Sequence, residues 1–286
     1  MPEATTGPGD VQPGIILPQH PRALLLDIDG VLVVSWKPLP GAVDALATIK
    51  AAGTPVRFLT NTTSRPRSSV VKALHDAGFE VSENDVVTAP IATANHLRTH
   101  YDGGTAALLC SGDVTDDLAA SGLRLVDLTK ESVPHADVVV LGGAGPEFGY
   151  ATLNKALDLL LGDAELVSMH RGLTWRTETG IQLDTGAFLA GLEKASGVRA
   201  TIIGKPEPAM FSAGLDGMGV PVDDAVMIGD DIDSDVRGAQ SAGLHGILVR
   251  TGKFRPAVLE TPGMAPELVT DSIVTAAAAL GYAVDG

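Results

Sequence analysis

Leu24-Leu25-Leu26-Asp27-Ile28-Asp29-Gly30-Val31-Leu32 is an apolar run that ends in two carboxylates one residue apart. In extended backbone, side chains two positions apart share a face, so Asp27 and Asp29 point the same way. Two acids side by side repel unless a cation or a shared proton lowers the cost. A solvated strand end, where Asp and Gly are common turn formers, is the plainer reading of these residues alone. Val226-Met227-Ile228-Gly229-Asp230-Asp231-Ile232-Asp233-Ser234-Asp235 repeats the design two hundred residues later: apolar strand, glycine, acids. Hard carboxylate oxygens brought together from two strands suit Mg²⁺. A calcium loop of the EF-hand type fails, because it needs Gly and Glu at fixed places in a 12-residue loop. Asp233 and Asp231 also read as an acidic start to the helix beginning near Ser234, whose dipole they would favour; Asp230 does not.

Working outward, short β-branched runs alternate with segments of helical length. Ala23 to Ile28, Val56 to Thr60, Thr201 to Gly204, Ala225 to Ile228 and Gly246 to Val249 read as buried strands, and Pro40 to Ala52, Ser64 to Ala77 and Glu207 to Met218 as helices ended by Gly53, Gly78 and Gly219. This is the pattern of a parallel α/β sheet. The middle third alternates by itself: strands at Ala106 to Cys110, Leu123 to Leu128, Asp137 to Leu141 and Glu165 to Ser168, helices near Val114 to Ser121, Tyr150 to Leu161 and Thr185 to Ser196. Because carboxylate-bearing strands flank it, this third reads as an inserted domain. The predicted division is a disordered tail over 1–21, a core over 22–88 and 198–286, and an insertion over 89–197. Two more strand ends carry groups suited to a phosphoryl oxygen: the hydroxyl and amide of Thr60-Asn61, and the ammonium of Lys205 after Gly204. Together the four ends hold the parts that phosphoryl transfer requires.

At 286 residues with 45% hydrophobic content, the chain can bury a core without staples, and its single cysteine, Cys110, permits no internal disulfide. Lys and Arg number 20 against 35 Asp and Glu, and the net charge of −15 disfavours nucleic acid and anionic membrane surfaces as partners. The apolar runs fall short of the ~20 residues of a membrane helix. The Pro- and Gly-rich start, without the basic residues and apolar run of a secretory leader, predicts a cytoplasmic protein.

In order, Asp27 to Leu32, Thr60-Asn61, Lys205 and Gly229 to Asp235 resemble the four motifs of the haloacid dehalogenase superfamily of phosphohydrolases. The α/β insertion between Asn61 and Lys205 resembles the C2-type cap of the NagD and pyridoxal phosphate phosphatase relatives. Thr60-Asn61-Thr62-Thr63-Ser64 and Gly204-Lys205-Pro206-Glu207 look most like the branch containing phospholysine phosphohistidine inorganic pyrophosphate phosphatase. Asp29 departs from the Ser that some members of that branch carry, so their substrate preferences do not transfer. The resemblance implies a Rossmann-like core with a C2-type cap and a Mg²⁺-dependent phosphatase of a small phosphorylated metabolite. Asp27 would be the nucleophile and Asp29 the general acid and base. Thr60, Asn61 and Lys205 would hold the phosphoryl oxygens. Asp27, Asp230 and the main-chain carbonyl of Asp29 would hold the metal, with Asp231 and Asp235 behind them. A homodimer through the cap would be in keeping with that group.

Other readings compete. A dehalogenase would need neither Asp29 nor Asp230. Phosphotransfer to a hydroxyl acceptor would use the same residues, and a catalytically silent metabolite-binding protein would have been free to lose one of them. Gly142-Gly143-Ala144-Gly145-Pro146 suggests a dinucleotide turn, but the spacing is one residue too long and Pro146 lacks an N–H; it reads as a connecting loop. In the insertion, His170 is the candidate for reading the leaving group, with Arg171, Trp175 and Arg176 near it in sequence.

Overall fold

The computed structural model describes residues 10–11, 17–177 and 180–284. The chain forms two compact units: one of residues up to Thr60, Val71–Val87 and from Lys205 onward, the other of Asn61–Val70 and Thr88–Gly204. Of the tail expected over 1–21, residues 1–9 and 12–16 lie outside the described residues. Asp10–Val11 forms a short strand paired antiparallel with Leu268 and Val269. Leu17 is buried, and His20 donates its backbone N–H to the Leu280 carbonyl at 2.9 Å, so the end of this segment is packed rather than solvated.

The first unit is built on a seven-stranded sheet in the order Asp10–Val11, Leu268–Thr270, His245–Val249, Ala225–Gly229, Ala23–Asp27, Val56–Thr60, Val86–Thr88. The central pairs are parallel. Ala23–Asp27 is buried at every position, which a strand needs when both sheet faces are covered. After this strand the chain runs to Val56–Thr60 on one side, and it later returns through Ala225–Gly229 on the other. Strand order therefore reverses beside Asp27, and in open α/β sheets such a reversal leaves a crevice at the carboxyl ends of the strands. Helix Ala42–Ala51 buries Ala42, Ala45, Leu46 and Ile49, a stripe at helical spacing.

The second unit has its own five-stranded parallel sheet, ordered Thr201–Ile202, Glu165–Ser168, Val138–Leu141, Thr105–Leu109, Arg124–Asp127. Leu109, Val139, Leu141 and Leu166 form its core with Leu159 of helix Tyr150–Leu161 and Leu189 and Leu192 of helix Thr185–Ser196. An antiparallel hairpin, Thr174–Thr177 with Gly180–Leu183, completes it. Among the described residues no helix is long and apolar enough to cross a membrane.

Two differences from the sequence reading stand out. The run from Thr201, read as a strand of the carboxylate-bearing core, pairs instead with Glu165–Ser168, because Val198, Ala200 and Ile202 pack on the apolar cluster of the second unit. The second boundary accordingly falls at Gly204, not near 197. Strand Val86–Thr88 and helix Ala89–His100 were not anticipated. Their sequence signal is Thr88, whose hydroxyl accepts the Ile91 N–H at 3.4 Å, followed by Pro90 in the first turn, where a missing N–H costs nothing.

The central strand sets a stability test. Leu25→Ala, at a wholly buried position, is expected to cost about 2–5 kcal/mol in urea unfolding. Leu161→Ala, 63% exposed, should stay within about 0.5 kcal/mol. Equal losses would contradict a strand covered on both faces.

Candidate active site

Asp27 is the last residue of its strand and is buried. The parallel register that pairs Leu26 with Ile228 brings the end of Ala225–Gly229 level with it, and Asp230 follows directly. Asp230 and Asp235 are each only 1% exposed. One ligand atom from each of Asp27, Asp230 and Asp235 lies within 4.8 Å of the others. Lys205 is buried against this group: its Nζ donates to Asp27 Oδ1 at 2.6 Å and to the Leu59 carbonyl at 3.2 Å, and sits 2.6 Å from Asp235 Oδ1.

The charges are strongly coupled. Burial alone would push the Lys205 ammonium down, but the carboxylates of Asp235 and Asp27 hold it well above the usual lysine range. Burial pushes Asp230 up to about 7, with repulsion from Asp27 added. Burial also pushes Asp235 up to about 6 against the pull of Lys205. Lys205 is the ammonium in contact with the converging acids and Lys253 adds its charge from nearby, yet Asp230 and Asp235 are still pushed up, a repulsion that a bound cation would relieve.

The surroundings of Asp230 fit such a cation. Its Oδ2 accepts the backbone N–H of Lys253 at 2.6 Å, while Oδ1 is buried with no hydrogen-bond partner among the described residues. Glycines make the room: a Cβ on Gly30 or Gly252 would collide with the Asp230 carboxylate, and one on Gly229 with the Asp235 side chain. Gly30 and Gly252 have φ of +98° and +60°, backbone that other residues rarely adopt. The Thr251 hydroxyl donates to the Gly30 carbonyl, tying the two glycine-bearing loops together.

The remaining predicted residues take different places. Asp29 is exposed, and its carboxylate lies outside the converging group of three. Burial of part of the group and the Asp27 charge raise its pKa, and Lys253 works against them. Thr60 is buried at the end of its strand in the first unit. Asn61 belongs to the second unit, where its amide oxygen would be 2.6 Å from a Cβ on Gly204. Asp231 has a local task that the sequence reading offered as an alternative. Its Oδ1 accepts the N–H groups of Asp233 and Ser234, both at 3.1 Å, capping the turn Ile232–Arg237. It is Asp235 that touches Lys205 directly. The residue missed from sequence is Lys253, whose ammonium is 3.8 Å from Asp231 Oδ2 and whose backbone orients Asp230. Thr251-Gly252-Lys253, a small residue and a glycine after a buried strand, was the available signal.

In the second unit His170 is buried, its Nδ1 accepting the Gly172 N–H at 3.2 Å and its Nε2 3.7 Å from Asp184 Oδ1. Burial pushes its pKa down while Asp184 pulls upward. Arg171 makes a two-pronged pair with Glu193 at 2.8 and 2.9 Å, Trp175 is exposed, and the Arg176 side chain lies outside the described residues. The glycine loop packs tightly on protein: a Cβ on Gly142, Gly143 or Gly145 would meet Cys110, Thr63 or Ser111. That packing accounts for the glycines without a dinucleotide.

Residues 24–124 match a family model described as haloacid dehalogenase-like hydrolase, and residues 202–276 match one described as HAD-hydrolase-like. Haloacid dehalogenase-like hydrolase domain-containing protein 2 of Bos taurus is 35% identical over 251 residues, covering 88% of this chain and 92% of that protein. Phospholysine phosphohistidine inorganic pyrophosphate phosphatase of Bos taurus is 37% identical over 261 residues, covering 89% and 92%. The structure of a glycerol phosphate phosphatase from Mycobacterium tuberculosis in complex with magnesium is similar with a TM-score of 0.79 and 28% identity, covering 90% of this chain and 76% of that one.

The acid cluster makes a calorimetric prediction. Asp230 would titrate near 3.8 unfolded and is pushed up to about 7 folded. The stability it contributes is therefore present below pH 4 and lost as pH rises through about 7. A divalent cation at a hundred times its Kd should add about 2.7 kcal/mol, a rise in Tm of roughly 5–10 °C at pH 8. At pH 5, where protons compete, the rise should be clearly smaller. Scanning calorimetry showing equal rises at both pH values, or none, would remove the cation from this cluster.

Proposed function

The chain belongs to the haloacid dehalogenase-like hydrolase family, and from that membership we propose that it is a Mg²⁺-dependent phosphatase of small phosphorylated metabolites, acting through an aspartyl-phosphate on Asp27. The observation that carries this reading is the buried contact of Asp27 Oδ1 with Lys205 beside an unpartnered oxygen of Asp230. Relatives named as phosphatases, one of them in complex with magnesium, support it. The inserted second unit is read as a C2-type cap.

With Oδ1 held by Lys205, Asp27 Oδ2 is the oxygen available to attack phosphorus in line. The O–P bond forms as the ester oxygen departs with its electron pair, and Asp29 gives that oxygen a proton. Partial burial and the neighbouring Asp27 charge both favour Asp29 holding this proton beforehand. In the second step water attacks the phosphorus, Asp29 takes its proton, and Asp27 is released as carboxylate. Lys205 keeps a positive charge beside the transferring group, and the Thr60 hydroxyl is a donor to its oxygens. Asp235 holds Lys205 in place from behind. Asp27, Asp230 and the main-chain carbonyl of Asp29 would hold Mg²⁺, a hard cation suited to oxygen donors. When bound, it supplies charge that offsets the repulsion between the nucleophile and the phosphoryl oxygens.

Two variants test the roles. Asp27→Asn should lower kcat on 4-nitrophenyl phosphate by about 10³-fold or more with an unchanged circular dichroism spectrum; retained turnover would rule out the covalent route. For Asp29→Asn, the loss should be about 10²–10⁴-fold for alkyl phosphates and much smaller for good aryl leaving groups. A uniform loss across a leaving-group series would argue against general acid catalysis by Asp29.

A further inference from the structure

Strand His245–Val249 of the first unit is followed by three cations, Arg250, Lys253 and Arg255. Two of them are committed to neighbours. Arg250 pairs with Asp271 at 3.0 Å, and Arg255 turns its guanidinium onto the carbonyls of Gly252 and Phe254 at 3.3 and 2.6 Å. The Lys253 side chain is 67% exposed, and among the described residues its ammonium makes one ion pair, with Asp231 Oδ2 at 3.8 Å. That distance is beyond a hydrogen bond, so the three N–H donors of this ammonium are open to a ligand from solvent.

The loop that carries Lys253 is fixed on both sides. Before it, Gly252 lies against the Asp230 carboxylate, and the Lys253 N–H donates to Asp230 Oδ2 at 2.6 Å. After it, Phe254 packs on the buried cluster of Ile232, Val236, Leu248 and Val269. The ammonium therefore extends from a steady base, and the backbone bond to Asp230 survives any change of side chain short of proline. Electrostatics give the side it faces. Desolvation opposes the Lys253 charge, but Asp27, followed by Asp230, Asp235 and Asp231, holds it above the usual lysine range. Lys253 in turn draws Asp29 down, against burial and the Asp27 charge. Its charge is thus felt by both Asp27 and Asp29, the groups between which the ester bond would break. Asp27, Asp230, Asp235 and Lys205 are buried, whereas Asp29 and Lys253 are exposed. Lys253 is the cation on the side from which a leaving group departs.

We propose that Lys253 is a specificity-determining residue that binds a second anion carried by the leaving group, so that phosphoesters with a carboxylate or phosphate near the ester oxygen are favoured. The inference rests on the phosphatase reading given above. Without the ammonium, the carboxylates of Asp29, Asp230 and Asp231 would repel such a leaving group. As the O–P bond breaks, the ester oxygen leaves with its electron pair and takes the Asp29 proton. Lys253 keeps its own proton throughout and holds the other anion. Carboxylate and phosphate offer the same acceptor chemistry to an ammonium, and separate substrates tell them apart.

The test is kcat/KM at fixed Mg²⁺ for four phosphoesters of two-carbon leaving groups: 2-phosphoglycolate, ethane-1,2-diol bisphosphate, ethyl phosphate and phosphoethanolamine. Each is measured with the unaltered protein and with Lys253→Met, so that intrinsic leaving-group reactivity cancels in the ratio. The loss should be about tenfold or more greater for an anionic substrate than for ethyl phosphate, the worth of a hydrogen bond between charged groups. A loss confined to phosphoglycolate assigns a carboxylate, and one confined to the bisphosphate assigns a phosphate. Lys253→Arg should restore the preference, and Lys253→Glu should turn it toward phosphoethanolamine. Equal losses across the four would make Lys253 a counter-charge to the acids alone and overturn the proposal, with the phosphatase reading intact. So would turnover of 4-nitrophenyl phosphate without turnover of either anionic substrate. No turnover of any phosphoester by the unaltered protein would remove the phosphatase reading and this proposal together. Should Lys253→Met fail to fold, Lys253→Gln takes its place.

Discussion

The Lys205 ammonium, buried between Asp27 and Asp235, is the interaction on which the rest of the molecule depends. Taking charges out of water costs several kcal/mol for each ion, and only close, hydrogen-bonded partners return it. Lys205 donates to the Asp27 carboxylate and the Leu59 carbonyl and lies 2.6 Å from Asp235 Oδ1. Asp230 Oδ1 is buried with no hydrogen-bond partner among the described residues. The acid cluster, gathered within 4.8 Å, therefore keeps a buried oxygen that a cation could take, although Lys253 already lends charge to it. Stability and chemistry meet in this imbalance.

Topology explains why these groups converge. Strand order reverses between Ala23–Asp27 and Ala225–Gly229, so carboxylates far apart in sequence emerge side by side. Helix-free loops with Gly30 and Gly252 then close on Asp230, at positions where any side chain would displace its carboxylate. Lys205 arrives from elsewhere, immediately after the second unit ends.

The central strand and its acids were legible in the sequence because a fully buried parallel strand admits no polar residue until it ends, so Asp27 had to mark that end. Helices Tyr150–Leu161 and Thr185–Ser196 were legible from their length and stops. Other features left weaker traces. The turn between Val33–Val34 and Lys37–Pro38 uses Ser35 and Trp36 at φ of 50° and 61°, without the Asn-Gly that usually signals it. Thr201–Ile202 reads from sequence as a core strand but joins the sheet of the second unit, since a two-residue strand takes its allegiance from packing rather than pattern. Asp231 and Asp235 look alike in sequence, and only geometry separates the cap of a turn from the partner of Lys205. Lys253 orients Asp230 through its backbone N–H, and only the small residue and glycine before it hint at this in the sequence.

In the proposed function Asp27, held by Lys205, is the nucleophile, and that proposal is open to direct chemical capture. The measurement is a rapid acid quench during turnover of a phosphomonoester, followed by borohydride reduction and peptide mapping. The account expects an acyl phosphate reduced to homoserine at position 27. Turnover with Asp27 unmodified, or a phosphoryl group recovered on another residue, would contradict it.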